Sequence, residues 1–470
     1  RRKTADNGFT QGGKSLLSPV DSALLFYHRE TGLKSPPSYG KIAIENRGGV
    51  VDVLKKIALG LVIALLLGVT GKVFLLPTLA GDRDFLLPAA KNDSFFSILF
   101  FGNGKKGPAA SSADGSDADK ADAPHPADAL LGAMSLEQKV GQLFFARCPE
   151  EGAVNEIAAL SPAGYILFAR YFEGETKDSV RETVAGYQAA STIPMLIGVD
   201  EEGGTVVRVS KYRAFRRSGF QSPQELYRQG GMEAFETDTA EKDALLRDLG
   251  INVNLAPVCD VVTNPGDYMY ARAFGEDAEK TAKYVQRVVS QMRQDGMGAV
   301  LKHFPGYGPN GNTHNHAVRD TRSMQAYESS DFLPFAAGVE AGADGLLVSH
   351  IFVECMDDSA PASLSPRVHE ILRDTLGFSG VVMTDDLSMD AVDGFAETGE
   401  AAVLAVQAGN DLILSSDFPA QYAAVLAAVQ DGTLTETQID GHVRRVLDWK
   451  AALGLIDYKT FSLAPQEDAA

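Results

Sequence analysis

The chain has 470 residues, of which 22% are charged and 45% are hydrophobic, and its formal net charge is −19. The charge is uneven, because residues 1–56 hold ten Lys or Arg and five Asp or Glu, which is +5 and leaves −24 for the remainder. These proportions are typical of a globular protein, and an acidic body argues against nucleic acid as a partner.

The N-terminal part of the chain combines a basic tail with an apolar segment. Residues 1–50 show no convincing hydrophobic period, and we predict a mostly disordered cytoplasmic tail. Residues 57–71 carry no charge, and with 73–76 the apolar stretch is interrupted only by Lys72. At about twenty residues it is long enough to cross a bilayer as a helix, with the basic tail on the cytoplasmic side.

We therefore predict a transmembrane signal anchor over 51–80, which contacts the lipid bilayer. The protein would be a single-pass protein of the cell membrane with its catalytic domain outside the cytoplasm. Two alternatives are a cleaved signal peptide that ends near Ala80 and a buried core helix. The long charged tail argues against the signal peptide.

A low-complexity segment separates the anchor from the rest of the chain. Residues 102–129 consist largely of Gly, Ala, Ser, Asp and Pro, which leaves almost nothing to bury. We therefore predict a disordered linker over 81–130.

From Leu131 onward, short apolar runs alternate with longer segments that have helical spacing, such as 277–295, 324–341 and 436–453. The eight runs are 142–148, 164–170, 194–200, 253–260, 299–305, 345–351, 381–387 and 411–416. Near-continuous apolar runs are typical of strands buried on both faces of a parallel sheet. Eight βα units in residues 131–457 predict an α/β fold, a single (β/α)8 TIM-type barrel followed by a C-terminal tail over 458–470. An open Rossmann sheet is less favoured, because no GxGxxG follows an early strand.

Polar side chains cluster where five of these runs end. They are Asp200, Glu201, Glu202, Asp260, Lys302, His303, His350, Asp385 and Asp386. A single polar residue at a strand end commonly caps the next helix or pairs with a neighbour. Since the carboxyl ends of barrel strands meet at one rim, the convergence of five clusters favours a functional site there.

Four segments of the chain resemble the β-N-acetylhexosaminidase branch of glycoside hydrolase family 3. They are LKHFPGYGPNGNTH (301–314), DEEGG (200–204), RAFG (272–275) and GFSGVVMTDDLSM (377–389). The resemblance covers about residues 131–457, and KHFPGxG followed closely by a (D/N)-(S/T)-H triplet is specific to this branch. It implies a retaining exo-β-N-acetylglucosaminidase that acts on cell-wall or chitin-type saccharides. We expect a saccharide as substrate, no cofactor and a monomer.

The resemblance also assigns roles to individual residues. Asp385 would be the nucleophile, and His314 would be the general acid/base, since an imidazole with a pKa of about 6.5 can donate and accept a proton near neutrality. His316 is the nearest competitor, and only the NTH register favours His314. The remaining matched residues would hold the sugar: Asp200, Arg272, Lys302, His303 and His350.

Several neighbours of these residues allow a structural interpretation. Asp386 is better explained as a helix cap than as a catalyst. Glu202 and Arg208 can form an ion pair beneath the site, and Asp260 can pair with Arg272 or cap the turn at 263–267. Three tyrosines are candidates to stack on a sugar face: Tyr268, Tyr270 and Tyr307.

Three other interpretations of the chemistry stay open. A β-N-acetylglucosaminide phosphorylase is the first, because a histidine acid/base would not repel an incoming phosphate. A catalytically weak protein that binds wall saccharides is the second, since Asn312 stands where the family usually has Asp. Zinc catalysis by His303, His314, His316 and His350 is the third, and the absence of HExxH argues against it. The three scattered cysteines predict no disulfide framework, and we expect them to be buried.

The substitution Asn312→Asp tests the predicted pair with His314. Asn can accept a hydrogen bond from the ring but supplies no negative charge, whereas Asp would stabilise the charged ring. We expect Asn312→Asp to raise turnover and to move the basic limb of the pH–rate profile upward. A rate that stays unchanged or falls would count against the pair.

Overall fold

The computed structural model describes residues 124–313 and 315–463 of the chain. The predicted tail, the predicted anchor at 51–80, the predicted linker as far as residue 123, His314 and the last part of the C-terminal tail lie outside the described residues. Among the helices that are described, none is both long enough and apolar enough to cross a membrane.

The described residues form an eight-stranded parallel sheet and a separate two-stranded sheet. The strands are β1 (Phe144–Arg147), β2 (Gly164–Leu167), β3 (Leu196–Val199), β4 (Val253–Asn254), β5 (Gly298–Phe304), β6 (Arg319–Asp320), β7 (Gly345–Val348), β8 (Phe352–Val353), β9 (Val381–Thr384) and β10 (Ile413–Ser415). In the large sheet the order is β10-β1-β2-β3-β4-β5-β7-β9, and β6 pairs with β8. Each of the eight predicted runs overlaps one strand of the large sheet, which confirms the predicted alternation of strands and helices.

The sheet curls into a nearly closed barrel. Between β9 and β10 the contact is a single parallel bridge, Met383 with Leu412, supported by backbone hydrogen bonds such as Asp411 N to Val382 O at 2.7 Å. Seven of the eight strand junctions are ladders, and this eighth junction is weaker. The prediction of a (β/α)8 barrel is therefore confirmed in its arrangement of strands and helices, with closure that is nearly complete.

Helices surround the barrel and fill the segments between its strands. They are α1 (Asp128–Ala133), α2 (Leu136–Gly141), α3 (Ala153–Leu160), α4 (Lys177–Ala190), α5 (Pro223–Gly230), α6 (Ala234–Asp248), α7 (Ala278–Asp295), α8 (Met324–Ala326), α9 (Phe332–Ala341), α10 (Pro366–Glu370), α11 (Asp390–Asp393), α12 (Thr398–Ala408), α13 (Phe418–Gln430) and α14 (Glu436–Ala452). Short 3₁₀ turns cover Ala169–Phe172, Gly231–Glu233 and Ala362–Leu364, and π-turns cover Tyr327–Asp331 and Ile371–Thr375. The helices predicted within 277–295 and 436–453 are confirmed, and 324–341 is helical throughout with a π-turn in its middle.

The barrel interior is packed with apolar side chains, so it is a core and not a channel. Phe145 of β1 and Trp449 of α14 belong to this inner cluster. Gly198 lies opposite Phe145, and a Cβ at position 198 would lie 2.3 Å from the ring. Gly298 faces Trp449 in the same way, with its Cβ position 3.1 Å from the indole. Small residues at these two strand positions therefore admit the two largest side chains of the inner core.

The cysteines only partly follow the prediction. Cys148 and Cys259 are buried, whereas Cys355 is exposed. The prediction is wrong for Cys355, because this residue lies in the loop directly after β8 and not in a packed element.

A buried carboxyl group on α6 makes stability depend on pH. Asp243 is fully buried, and burial, reinforced by Asp295 at the end of α7 and opposed by Lys242, raises the pKa of Asp243 to about 8. A folded-state pKa above the unfolded value means that the native state binds more protons between about pH 4 and pH 8. The free energy of unfolding therefore falls as pH rises through this window, by up to about 1.4 kcal/mol per pH unit.

The substitution Asp243→Asn removes this titration. We expect the variant to unfold at a higher temperature than the wild type at pH 8, and its melting temperature to change less between pH 4 and pH 8. The control is Asp248→Asn at the exposed end of the same helix, where Arg181 lowers the pKa of the carboxyl group. Equal pH slopes for wild type and Asp243→Asn would contradict the assignment.

Candidate active site

Lys302 lies at the centre of the polar rim, within β5. Its side chain is 2% exposed, and its Nζ donates to Asp200 Oδ1 and to Glu202 Oε1, each at 2.7 Å. A buried ammonium group without counter-charge would be very costly, so the two carboxylates are needed to stabilise it. Three N–H groups belong to this ammonium, which leaves one to donate to a ligand.

Arg272 stabilises the other side of Glu202. Its Nε donates to Glu202 Oε2 at 3.0 Å, and its Nη2 donates to Oε1 at 2.7 Å. Burial alone would raise the pKa of Glu202, but the charges of Lys302 and Arg272 outweigh burial and hold that pKa well below its usual range. The predicted ion pair between Glu202 and Arg208 is wrong, because both Glu202 oxygens are used by these partners. Arg208 instead approaches Asp200, with Nη2 3.7 Å from Oδ2.

His303 continues this network toward the next loop. Arg272 Nη2 lies 3.1 Å from His303 Nε2, which must accept because a guanidinium can only donate. His303 Nδ1 therefore carries the proton and donates to Asp260 Oδ2 at 2.9 Å. Asp260 Oδ1 also accepts from Tyr307 N at 2.8 Å. The predicted pair of Asp260 with Arg272 is thus replaced by a pair with His303, and Asp260 connects the loop after β4 both to β5 and to the loop after β5.

Glu201 has a different role from the acidic residues on either side of it. It is fully buried, and Oε2 accepts from the backbone N–H groups of Arg208 at 2.7 Å and Val209 at 2.8 Å. Its other oxygen accepts from Ser210 N at 3.2 Å. Glu201 therefore stabilises the loop after β3, while the neighbouring Asp200 contributes to the pocket.

Asp385 lies directly beyond the end of β9. Its backbone N–H donates to Val348 O at 3.0 Å, and its Oδ1 accepts from Asp386 N at 2.9 Å. Burial and the nearby charge of Asp385 raise the pKa of Tyr307. The Tyr307 ring packs against Tyr268, with 6.0 Å between ring centroids. Asp385 therefore lies close to these rings, on the rim that also carries the charged network.

Asp386 and His350 stabilise the loop that carries Asp385. The Asp386 carboxylate accepts from Ser388 N at 3.0 Å and from Ser416 N at 3.2 Å, which agrees with a capping role. His350 Nε2 donates to the Asp386 carbonyl at 2.9 Å, and its Nδ1 lies 2.7 Å from Ser363 Oγ. Because both ring nitrogens are engaged with protein atoms, the geometry favours positioning over direct contact between His350 and substrate.

The loop after β5 approaches the loop after β9. Tyr307 Oη lies 2.5 Å from Thr313 Oγ1, and the Thr313 carbonyl accepts from Ala391 N at 3.2 Å. Ala391 is six positions beyond Asp385. Asn312 lies just before Thr313 in this loop, whereas His314 lies outside the described residues, so its role stays a prediction.

A charged cluster that the sequence did not reveal anchors the base of this loop. Arg322 donates from Nε to Asp320 Oδ2 at 2.8 Å, from Nη1 to Asp331 Oδ2 at 2.9 Å and from Nη2 to Gly306 O at 3.1 Å. Asn310 of the loop donates to the same Asp320 oxygen at 2.5 Å. Burial raises the pKa of Asp331 to about 6 despite the opposing charge of Arg322. In the sequence these residues resemble ordinary surface charges, so no local signal identifies them.

The structure also bears on the zinc alternative. His303, within β5, contacts Asp260 and Arg272, whereas His350, two residues after β7, contacts Ser363 and the Asp386 carbonyl. Within residues 124–313 and 315–463, no group of three or more His, Cys, Asp or Glu side chains is arranged to hold a metal ion.

A cavity separate from the polar rim lies between β2 and α4, on the outer face of the barrel wall, and is called the β2–α4 cavity here. Its volume is about 420 Å³, and it is lined by Leu167, Arg170, Tyr171, Val184 and Tyr187 among others. Leu167 belongs to the outer core, between the strands and the helices. The charged network described above does not line this cavity.

Comparison with known proteins places the barrel in a family. The family model “Glycosyl hydrolase family 3 N terminal domain” matches residues 135–449. A β-hexosaminidase of Xanthomonas campestris pv. campestris is 33% identical over 318 residues, which are 64% of this chain and 91% of that protein.

Two solved structures are similar in fold and sequence. A family 3 β-N-acetylglucosaminidase from Paenibacillus sp. FPU-7 is 30% identical with a TM-score of 0.64, over 72% of this chain and 66% of that one. A β-N-acetylhexosaminidase from Beutenbergia cavernae is 31% identical with a TM-score of 0.60, over 68% of this chain and 99% of that one.

The substitution Tyr307→Phe tests whether the contact with Thr313 positions the loop for catalysis. Loss of one buried hydrogen bond should lower the free energy of unfolding by about 1–3 kcal/mol. Because the loop end is displaced as well, we expect kcat to fall about tenfold with little change in KM. The rates are measured by steady-state kinetics on a chromogenic glycoside, and the stability is measured by thermal unfolding of the free protein.

The control is Tyr165→Phe, which removes a buried hydroxyl that donates to Glu156 Oε1 at 2.8 Å on the outer side of β2. It should lose comparable stability and keep its kcat. Equal effects of both variants on kcat would show that only general stability is involved.

Proposed function

Since the chain belongs to glycosyl hydrolase family 3 and is therefore a glycoside hydrolase, we propose that it releases terminal β-linked N-acetylglucosamine by a retaining mechanism. The observation that carries this proposal is the position of Asp385 at the tip of β9, on the same rim as the network centred on Lys302. The named activities of the Xanthomonas, Paenibacillus and Beutenbergia relatives support the choice of sugar.

Asp385 acts as the nucleophile. A carboxylate whose backbone is bonded to the neighbouring strand β7 needs little reorganisation before it attacks the anomeric carbon. Attack forms a glycosyl ester on Asp385 and breaks the bond to the aglycone oxygen, which takes a proton from His314. Water then attacks the same carbon, gives a proton back to His314 and releases the Asp385 carboxylate, so the sugar keeps its configuration.

The charged network holds the sugar. Asp200 has one oxygen bonded to Lys302, and its Oδ2 is 3.7 Å from Arg208, which leaves Oδ2 able to accept from a hydroxyl group. The third N–H of Lys302 can donate to a neighbouring hydroxyl group. Bonds that involve a charged partner are about twice as strong as neutral ones, and here both groups are held in place before the sugar arrives.

His350 and Asp386 act through the loop and not on the substrate. Together they fix the backbone on both sides of the Asp385 side chain, by the contacts to Ser363 and Ser416. Asn312 leaves His314 without the carboxylate that the family pattern supplies. The steps in which His314 gives or takes a proton are therefore slower than the other steps of the cycle.

The location and natural substrate are proposed from the sequence. Residues 57–76 would anchor the protein and place the barrel outside the cytoplasm, where cell-wall or chitin-type saccharides are found. A β-N-acetylglucosaminide phosphorylase and a wall-saccharide-binding protein with little activity are the alternatives, and identification of the reaction products separates them.

A mechanism-based label identifies the nucleophile. A 5-fluoro derivative of N-acetylglucosamine with a good leaving group should accumulate as a glycosyl ester, and mass spectrometry of the digested protein should find the added mass on Asp385. Asp385→Asn should lose the label and at least about 10³-fold in kcat. Asp386→Asn is the matched control, one position away, and should still be labelled.

The configuration of the first product is followed by NMR, with an aryl β-N-acetylglucosaminide as the substrate. The first product should be β-N-acetylglucosamine, formed without phosphate. An inverted product, or a label on a carboxylate other than Asp385, would contradict the proposal. Sugar binding without any turnover would favour the binding protein.

A further inference from the structure

Arg322 joins the two ends of the loop after β5. This loop begins after Phe304 and returns in β6, which ends two residues before Arg322. Arg322 Nη2 donates to Gly306 O, at the start of the loop, at 3.1 Å, and Nε donates to Asp320 Oδ2, at its end, at 2.8 Å. Nη1 donates to both oxygens of Asp331, at 3.0 Å and 2.9 Å. One guanidinium group therefore fixes both ends of the loop to the π-turn that contains Asp331.

The start of the loop passes directly over the pair of Arg322 and Asp331. Gly306 and Gly308 have φ angles of 116° and 53°, which favour glycine. A Cβ at position 306 would lie 2.5 Å from Asp331 Oδ1, and a Cβ at position 308 would lie 2.5 Å from Arg322 Cζ. Only a backbone without side chains fits at these two positions. The path of the loop therefore depends on where the ion pair lies.

The Arg322 cluster, formed by Arg322, Asp320 and Asp331, is held together by its own charges. The side chains of Asp320 and Asp331 are 1% and 2% exposed. Two buried carboxylates without this shared cation would be costly, so the cluster needs the guanidinium group. Asn310 Nδ2 and Tyr327 Oη also donate to Asp320 Oδ2, at 2.5 Å and 2.7 Å. Because Asn310 belongs to the loop, the cluster fixes a third point of it.

The fixed part of the loop leads directly to the pocket. Tyr307, next to Gly306, donates from its backbone N–H to Asp260 Oδ1 at 2.8 Å. The Tyr307 hydroxyl lies 2.5 Å from Thr313 Oγ1, and the Thr313 carbonyl accepts from Ala391 N at 3.2 Å. Ala391 belongs to the segment after β9, which also carries the proposed nucleophile. Contacts therefore run without interruption from the Arg322 cluster to Thr313.

We propose that Arg322 is a positioning residue for proton donation to the leaving group, because it fixes Gly306 and Asp320 and thereby holds Thr313 against the segment after β9. The inference rests on the proposed function, which assigns this proton to His314, the residue after Thr313 in the sequence. Arg322 acts through the backbone of the loop and not on the sugar. A displacement of about 1 Å in a catalytic group can lower the rate about a hundredfold, so the base of the loop matters to the chemistry.

The first experiment compares a phenyl and a dinitrophenyl β-N-acetylglucosaminide, which differ in their need for an acid. The value of kcat/KM reports the step that breaks the bond to the aglycone, and dinitrophenolate leaves without a proton whereas phenolate needs one. The measured quantity is the ratio of kcat/KM for the dinitrophenyl substrate to that for the phenyl substrate. In Arg322→Lys, which keeps the charge and loses the fork, this ratio should rise by at least about tenfold.

A second variant keeps the test decisive if Arg322→Lys does not fold. Asn310→Ala leaves every charge of the Arg322 cluster in place and removes only the contact between the loop and Asp320. It should raise the same ratio, because the loop loses one of its three fixed points.

The matched control is Arg373→Lys. The side chains of Arg322 and Arg373 are 23% and 25% exposed, and Arg373 also combines a buried carboxylate with backbone carbonyls. It donates to Asp411 Oδ2 at 2.7 Å, to Phe378 O at 2.9 Å and to Gly380 O at 2.7 Å, at the end of β9 opposite to the rim. Arg373→Lys should lower the melting temperature and leave the substrate ratio unchanged. An equal rise in both arginine variants, or no rise in Arg322→Lys and Asn310→Ala, would overturn the inference.

Hydrogen exchange keeps this test separate from the test of the proposed function. Exchange of residues 306–313 is followed by mass spectrometry of the free protein and needs no turnover. It should be faster in Arg322→Lys than in the wild type and in Arg373→Lys, because the loop opens more often. Faster exchange with an unchanged substrate ratio would mean that Arg322 only stabilises the loop, and the inference would be wrong.

A wild type that hydrolyses neither substrate would end the proposed function by itself. In that case faster exchange in Arg322→Lys still supports the positioning of the loop by Arg322, and unchanged exchange contradicts it.

Discussion

The buried ammonium group of Lys302 is the constraint on which the pocket depends. At 2% exposure it needs counter-charge, and Asp200 and Glu202 each supply an oxygen at 2.7 Å. Glu202 in turn binds Arg272, and Arg272 contacts His303. These contacts join the loop after β3, the loop after β4 and β5 into one rigid unit. Polar groups that are already held in place can bind sugar hydroxyls without first being reordered.

Two neighbouring carboxylates illustrate how backbone geometry decides chemistry. Asp385 and Asp386 are adjacent and identical in type, yet the Asp386 side chain turns toward Ser388 and Ser416 and stabilises the next loop. Asp385 remains beside Tyr307, on the pocket side. The same division occurs after β3, where Glu201 stabilises its own loop and Asp200 faces the pocket. A run of acidic residues at a strand end therefore contains residues that stabilise the loop as well as residues that face the pocket.

The sequence predicted the elements well and the side-chain partners less well. Apolar runs identify all eight barrel strands because burial on both faces requires them, and polar residues at strand ends mark the rim. Which charges pair across strands depends on register, which the sequence does not contain. The sequence pattern therefore suggests Arg208 as the partner of Glu202, where the structure has Arg272. It suggests Arg272 or the turn at 263–267 as the partner of Asp260, where the structure has His303. The cluster around Arg322 was missed because its members come together only through the fold around the loop after β5.

The most direct test of this account is a crystal structure of the protein with N-acetylglucosamine bound. We predict sugar hydroxyl groups about 3 Å from Asp200 Oδ2 and Lys302 Nζ, with the anomeric carbon facing the Asp385 carboxylate. A sugar in the β2–α4 cavity, or one in the barrel mouth whose anomeric carbon faces away from Asp385, would contradict it.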